Sequence, residues 1–307
     1  MSDTPAEPNR PDGLRKPMEV TPLEAGLYIV ATPIGNLGDI TLRALDVLAR
    51  ASRIACEDSR ITARLLAHYA IRTPMAAYHE HNAARVRPLL MERLKAGESV
   101  ALVSDAGTPL VSDPGYRLVV ACVEAGVAVH PLPGPSSVLA ALAVAGLPTD
   151  RFMFAGFPPP RQAGRRRVFA ELAAVPATLV FLESPRRLAE SLADMAAVLG
   201  DRSAAVAREL TKLYEETRRG TLATLAGHYA AAGAPRGEVT VVVGPPGEAP
   251  AVAADDLDGR LRLALAELVP SEAARRVAKE TGMRRREVYA RAMILAGGQA
   301  TDDDEAP

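Results

Sequence analysis

Between Glu98 and Gly126 the chain reads ESVALVSDAGTPLVSDPGYRLVVACVEAG. An apolar run, Ser99-Val-Ala-Leu-Val103, meets a turn-forming cluster, Ser104-Asp105-Ala106-Gly107-Thr108-Pro109. Past Asp113-Pro114-Gly115, apolar residues return at helical spacing at Leu118, Val119, Cys122 and Val123. The pattern predicts strand, loop, helix. A strand buried on both faces reads as a continuous apolar run, and ligands of open α/β sheets lie beyond the carboxyl ends of such strands. The loop is therefore placed for a site. It is also long for its position, and it holds two acids, two glycines and two prolines. Glycine lets backbone approach a ligand, proline stiffens the loop, and Asp105 accepts hydrogen bonds. A rigid structural connection is the competing reading.

The same unit recurs along the first half of the chain. Gly26 to Ala31 reads as a strand, Thr32-Pro-Ile-Gly-Asn-Leu-Gly-Asp39 as a turn-rich loop, and ITLRALDVLARA as a helix that Asp39 is placed to cap. Gly35 and Gly38 can bring backbone N–H groups to a ligand. Neither G-x-G-x-x-G nor the nucleotide P-loop pattern occurs here, which weakens dinucleotide and ATP readings. Arg53 to Glu57 is the next strand, followed by Asp58-Ser59-Arg60 and a second amphipathic helix, ITARLLAHYA. Glu57, Asp58 and Arg60 suit a catalytic site and a capped helix with Arg60 in solvent equally well. Tyr78-His79-Glu80-His81-Asn82 offers half a metal site that no other His or Cys cluster completes, so substrate contact is favoured over metal. Val127 to His130 is another strand, and Pro131-Leu-Pro-Gly-Pro135 leads to a helix that Ser136 or Ser137 can cap. Its free N–H groups favour an anion, with a plain capped helix as the alternative. Residues 26–147 thus predict one doubly wound, mostly parallel sheet.

From Pro148 the rhythm changes. Residues 148–244 predict a second, more mixed α/β domain, with strands at 151–154, 178–182, 203–208 and 238–243, helices at 164–174 and 185–199, and a turn-rich link, GTLATLAGHY. PPPRQAGRRR, residues 158–167, reads as a loop whose four arginines are either solvated or contact phosphate. Residues 245–257 have linker composition, and 258–297 read as a helical module in which helix, Gly282 turn and helix follow helix-turn-helix spacing. From Asp258 to Arg291, nine Lys or Arg stand against five Asp or Glu. Residues 1–25 and 298–307 read as disordered tails. The chain of 307 residues is 48% hydrophobic, without Trp, and its net charge of −1 confines any nucleic-acid argument to local patches. Cys56 and Cys122 lie in apolar runs, as buried thiols of a reducing cytosol do. No apolar stretch is long enough for a bilayer, and the polar N-terminus does not read as a signal peptide.

Taken in order, LYIVATPIGNLGDIT, CEDSR, YHEHN, LVSDAGTPLVSDPG, PGPSSVLAAL, FLESPRR, RELTKLYEE and RGEVTVVV resemble the ribosomal RNA small subunit methyltransferase I family of the tetrapyrrole methylase superfamily. The resemblance covers roughly Gly26 to Gly244, and the terminal helices are similar too. Cys56 and Ser59 depart conservatively from the Ala and Thr expected there. The resemblance implies two α/β domains of the tetrapyrrole methylase type with the ligand cleft between them, plus a small C-terminal helical module. It implies S-adenosylmethionine as methyl donor and transfer to the ribose 2′-hydroxyl of a cytidine in the decoding region of 16S rRNA in the small ribosomal subunit. A cytoplasmic homodimer is implied as well. Carried over, the donor-binding residues are Pro33, Gly35, Asp105, Gly107, Thr108, Leu110, Ser136, Ser137 and Val138, with Leu182 and Leu210 from the second half. Because a sugar hydroxyl is almost fully protonated at neutral pH, a base is expected. Glu57 and Asp58 are the acids favoured for it, with Arg60 or Lys212 and Glu216 orienting substrate. Two other readings are a methyltransferase of this fold acting on a tetrapyrrole or another small molecule, and a non-catalytic RNA-binding or assembly protein. The basic terminal module and the arginine segment weigh against the first. The Gly, Asp and Ser gathered at strand ends weigh against the second.

Overall fold

The computed structural model describes residues 23–110, 115–247, 254–281 and 283–299. The tails over 1–25 and 298–307, the linker over 245–257 and the Gly282 turn fall wholly or partly outside them. The chain divides into two compact units, Met1–Val144 with Ala207–Glu216, and Ala145–Val206 with Thr217–Pro307.

The first unit is built on five strands, β1 (Gly26–Val30), β2 (Arg53–Cys56), β3 (Met75–Ala77), β4 (Ser99–Val103) and β5 (Val129–Leu132). Their order is β3-β2-β4-β1-β5, and every pair is parallel. β1 and β4 are buried at all five positions, as their unbroken apolar runs require. Four helices join the strands, α1 (Leu42–Arg50), α2 (Ser59–His68), α3 (Ala83–Lys95) and α4 (Tyr116–Glu124), and α5 (Ser137–Ala145) follows the last. Alternate residues of a strand face opposite ways. Tyr28 and Val30 accordingly join one core with Val47 and Leu48 of α1 and Leu65 and Leu66 of α2. Leu27 and Ile29 join another with Leu90 and Leu94 of α3 and Leu118 and Cys122 of α4. Helices thus cover both faces, the doubly wound arrangement expected.

Three local expectations change. Thr41, not Asp39, caps α1, its Oγ1 accepting from the Ala44 N–H at 3.1 Å, while Asp39 ends a short 3₁₀ turn, Leu37–Asp39. β5 begins at Val129, not Val127. The three-residue β3 has no strand-length apolar run to announce it.

The second sheet consists of β6 (Phe152–Gly156), β7 (Thr178–Glu183), β8 (Ser203–Arg208), β9 (Glu216–Thr221) and β10 (Val239–Val243) in the order β6-β7-β10-β8-β9, and all but the last two residues of β8 and the first of β9 belong to the second unit. β6 and β7 are parallel, and β7 and β10 antiparallel. α6 (Gln162–Leu172), α7 (Leu188–Leu199) and α8 (Leu222–Ala232) supply Phe169, Leu192, Met195 and Leu225 to a core shared with Phe181 and Val241. The arginine-rich segment is not a loop but the start of α6. Arg165 is 1% exposed, and its Nε donates to Asp194 of α7 at 2.8 Å, while Arg166 Nε donates to the other Asp194 oxygen at 2.7 Å. Two of the four arginines therefore hold α6 on α7. The segment read as a turn-rich link is the end of β9 and all of α8.

The C-terminal module is three helices, α9 (Ala254–Leu265), α10 (Pro270–Thr281) and α11 (Arg285–Gln299). Leu257, Leu261, Ala273, Ala274, Val277, Val288 and Ala292 form its own core. Arg291 clasps Asp258 with both arms, at 2.7 and 2.6 Å, and that hydrogen bonding holds the Asp258 carboxyl below the usual range. No helix among the described residues is long and apolar enough to cross a membrane.

Candidate active site

In the first sheet β1 lies between β4 and β5, although the chain leaves β1 for β2 on the far side of β4. Crossovers thus diverge from between β4 and β1, the kind of switch point where open α/β sheets bind ligands. The loops emerging there grip each other. Thr32 and Gly107 exchange backbone hydrogen bonds of 2.9 and 3.0 Å, and Thr32 Oγ1 donates to the Ser104 carbonyl at 3.1 Å. Gly107 sits at φ +80° and Leu110 at φ +76°. The first is natural for glycine, whereas a leucine there is strained, and such strain gathers at ligand sites.

Side chains bind the neighbouring loops to this pair. Thr108 Oγ1 donates to the Pro135 carbonyl at 3.2 Å, joining the central loop to the PGPSS turn. Ser136, of the two serines considered, caps α5, its Oγ accepting from the Leu139 N–H at 3.4 Å. Ser137 opens the helix and Val138 is buried. Asp105 Oδ1 accepts from the Asp58 N–H at 2.9 Å, which fixes the loop after β2 to the loop after β4. Pro33 is buried beside the Thr32 bridge, while Gly35 is exposed.

The acids after β2 separate in role. Asp58 caps α2, accepting from the Arg60 N–H at 2.8 Å, and it pairs with the Arg60 side chain at 3.0 Å. These hydrogen bonds from Arg60 lower its pKa to about 2. The Arg60 side chain is itself 86% exposed. Glu57 instead lines a void of about 10 Å³ with Tyr78, Ser104, Pro109 and Gly115, space for a single water at most. The Tyr78 hydroxyl is buried there without a well-formed hydrogen bond. Burial pushes its pKa up, and the guanidinium groups of Arg87 and Arg117 offset this only in part.

Residues 207–216 belong to the same unit. Leu210 is buried between two residues of positive φ, Glu209 at +50° and Thr211 at +67°. A β-branched residue in that region is a true outlier. Lys212 Nζ pairs with Glu209 at 2.8 Å, and the Lys212 stem lies over Gly35 so closely that a Cβ there would fall 2.4 Å from its Cγ. Glu216 pairs with Arg208 at 3.1 Å. The structure thus brings Lys212 to the loop after β1, a long-range contact that sequence spacing does not show. Leu182 is half-buried on β7 of the second unit. Thr32, Tyr78 and Thr211 went unassigned in the sequence, although each lies in or beside a quoted motif. His79 and His81 stack edge to face with centroids 6.0 Å apart, and no group of three or more His, Cys, Asp or Glu able to hold a metal occurs among the described residues.

Known proteins resemble this chain in sequence and in fold. Residues 26–226 match the Tetrapyrrole (Corrin/Porphyrin) Methylases, and residues 251–296 match the RsmI C-terminal HTH domain. The Ribosomal RNA small subunit methyltransferase I of Mesorhizobium japonicum is 56% identical over 89% of this chain and 93% of its own length. That of Xylella fastidiosa is 48% identical over 86% and 97%. Among solved structures, a cobalt precorrin-4 methyltransferase of cobalamin biosynthesis aligns with a TM-score of 0.54 at 19% identity, over 71% of this chain and 94% of its own. A uroporphyrin-III C-methyltransferase from Thermus thermophilus, complexed with S-adenyl homocysteine, aligns at 0.50 and 22%, over 71% and 97%. These two share the fold. Identity at this level along nearly the whole length, with a gripped loop pair at the switch point of a parallel sheet, places the chain in the ribosomal RNA small subunit methyltransferase I family of the tetrapyrrole methylases.

Proposed function

We propose that the chain methylates the ribose 2′-hydroxyl of a cytidine in the decoding region of 16S rRNA, within the small ribosomal subunit, with S-adenosylmethionine as donor. It works as a homodimer in the cytoplasm. What most supports this reading is the clasp of the central loop on both the first loop and the PGPSS turn, in a chain so similar to small-subunit rRNA methyltransferases.

The residues present fit the donor. The Ser136-capped start of α5 suits a carboxylate, Gly107 and Leu110 turn backbone toward a ligand, and Leu210 and Val138 supply apolar surface. Asp105 and Thr108 fix that backbone in place, and Pro33 and Gly35 form the adjoining loop. When bound, S-adenosylmethionine supplies an electrophilic methyl group on a sulfonium. The chain's own work is to hold the hydroxyl in line and to accept its proton. Glu57 is the better base, since Asp58 is committed to its helix cap and to Arg60. Lys212 and Glu216 orient the substrate from the segment beside Gly35.

The test is transfer of labelled methyl to small subunits from cells lacking this protein, beside free 16S rRNA and a tetrapyrrole precursor. Label on a ribose of the rRNA, located by nuclease digestion and mass spectrometry, is the expected result. Label on the precursor alone would overturn the substrate, and label on none of the three would overturn the reading. With the active substrate, Glu57→Gln is expected to lose turnover by a factor of about 10²–10⁴, and Asp58→Asn to keep it. Light scattering on a sizing column tests the dimer.

A further inference from the structure

The first turn of a helix favours acids, because its free N–H groups carry a partial positive charge. α11 keeps one acid in its first turn, Glu287, but ahead of it stand Arg284, Arg285 and Arg286 in succession, all exposed. Arg284 closes the first turn through its carbonyl, which accepts from Glu287 N–H at 2.9 Å and from Val288 N–H at 3.2 Å. Three guanidinium groups are thus crowded at the positive end of a helix. Neighbouring cations of the module have partners within it: Arg276 faces Glu267 and Glu280, and Arg291 holds Asp258. No ion pair of the described residues involves Arg284, Arg285 or Arg286, nor Arg275 and Lys279, which stand exposed one turn apart on α10. Such a cluster raises the energy of the free protein, and an anion would lower it.

The rest of the exposed surface narrows the anion. Tyr289, 42% exposed, follows Arg285 and Arg286 at the spacings that share a helix face, and Met293, 48% exposed, continues the face. Cations beside an aromatic ring suit a nucleic acid, with phosphates on the first and an unstacked base on the second. α10 and α11 are separated by three residues, and in helix-turn-helix proteins the start of the second helix meets the nucleic acid. From Asp258 to Arg291 the module has a surplus of positive charge in a chain whose total is −1.

We infer that the start of α11, Arg284 to Arg286 with Tyr289, is an RNA-binding site that contacts the phosphate backbone of rRNA, with Arg275 and Lys279 of α10 as further phosphate contacts. The inference deepens the proposed activity and rests on it for the choice of rRNA as ligand.

The experiment uses the full chain and a fluorescein-labelled RNA hairpin of mixed sequence, with affinity followed by anisotropy across a salt series and without methyl donor. Arg284→Ala/Arg285→Ala/Arg286→Ala is expected to weaken binding about tenfold or more and to flatten the slope of log K against log salt by about 2–3. Tyr289→Ala is expected to weaken binding with the slope kept. Arg276→Ala, which removes an already paired cation, serves as control. Melting temperatures establish that each variant is folded, and Arg275→Ala/Lys279→Ala gives a second reading if the triple variant is not. Wild-type affinity and slope in folded variants would overturn the site, including the case where the triple variant instead loses a ribosomal protein from purified subunits. Methyl transfer to subunits is measured separately, with KM expected to rise and kcat to hold. A wild-type chain that binds the hairpin but methylates no subunit would sink the activity and leave the RNA site standing.

Discussion

A carboxylate held near pKa 2 is a weak base at neutral pH, and Asp58 is held there by the same Arg60 contacts that close its helix cap. Asparagine caps a helix about as well as aspartate, so Asp58→Asn is expected to leave the melting temperature almost unchanged. At Gly107 the constraint is conformational. An alanine at φ +80° costs about 1–2 kcal/mol, while its Cβ would meet only Ile34 at 3.4 Å and Pro135 at 3.7 Å. Denaturant titration of Gly107→Ala should show that loss with no larger steric term. The two thiols give a pH signature. Burial pushes Cys122 up to about 11 and raises Cys56 as well. Folded values above the unfolded value mean that this stability is complete below the ordinary thiol pKa and is lost as pH rises through the folded ones. Unfolding free energy is therefore expected to decline between about pH 9 and 11, with native thiols nearly inert to Ellman's reagent at pH 8.

Among elements, the clearest dependence is that of α6 on α7. Asp194 is 2% exposed and receives Gln162, Arg165 and Arg166. Burial raises its pKa, but the hydrogen bonds from Arg166, Arg165 and Gln162 outweigh it, so the net shift is downward. Removing it in Asp194→Ala leaves the buried Arg165 charge with only the exposed Glu190, 3.8 Å away, at a cost of about 3–5 kcal/mol, which chemical denaturation would measure. Asp194 and its three partners are far apart in sequence, which is why PPPRQAGRRR reads as a loop: charge alone does not say which arginine points inward. β9 was hidden for a related reason. ETRRGT has no apolar run because it lies at the end of its sheet and is half-exposed or exposed throughout, as edge strands commonly are. β1, β4 and β10, buried at every position, were legible because burial on both faces leaves no other composition available. The loops at the switch point were legible as motifs, yet the Thr32–Gly107 and Asp58–Asp105 hydrogen bonds that hold them were not, since pairing across a sheet is absent from local spacing.

At the scale of the whole molecule, charge is nearly balanced but unevenly placed, with the surplus of cations from Asp258 to Arg291 offset elsewhere. Binding to RNA should therefore follow the module's local field and weaken steeply with salt. The order of the first sheet also bears on how the chain is made. β1 emerges first, but it pairs with β4 and β5, which begin at Ser99 and Val129, and Lys212 covers Gly35 only after both. During synthesis the first strand waits without neighbours, and its apolar residues stay within reach of chaperones until β5 has emerged. The contact of Lys212 with Gly35 is therefore a late event in translation, completed by residues 207–216. A nascent chain stalled before that segment would carry every glycine of the first loops and still lack the lysine that closes over Gly35.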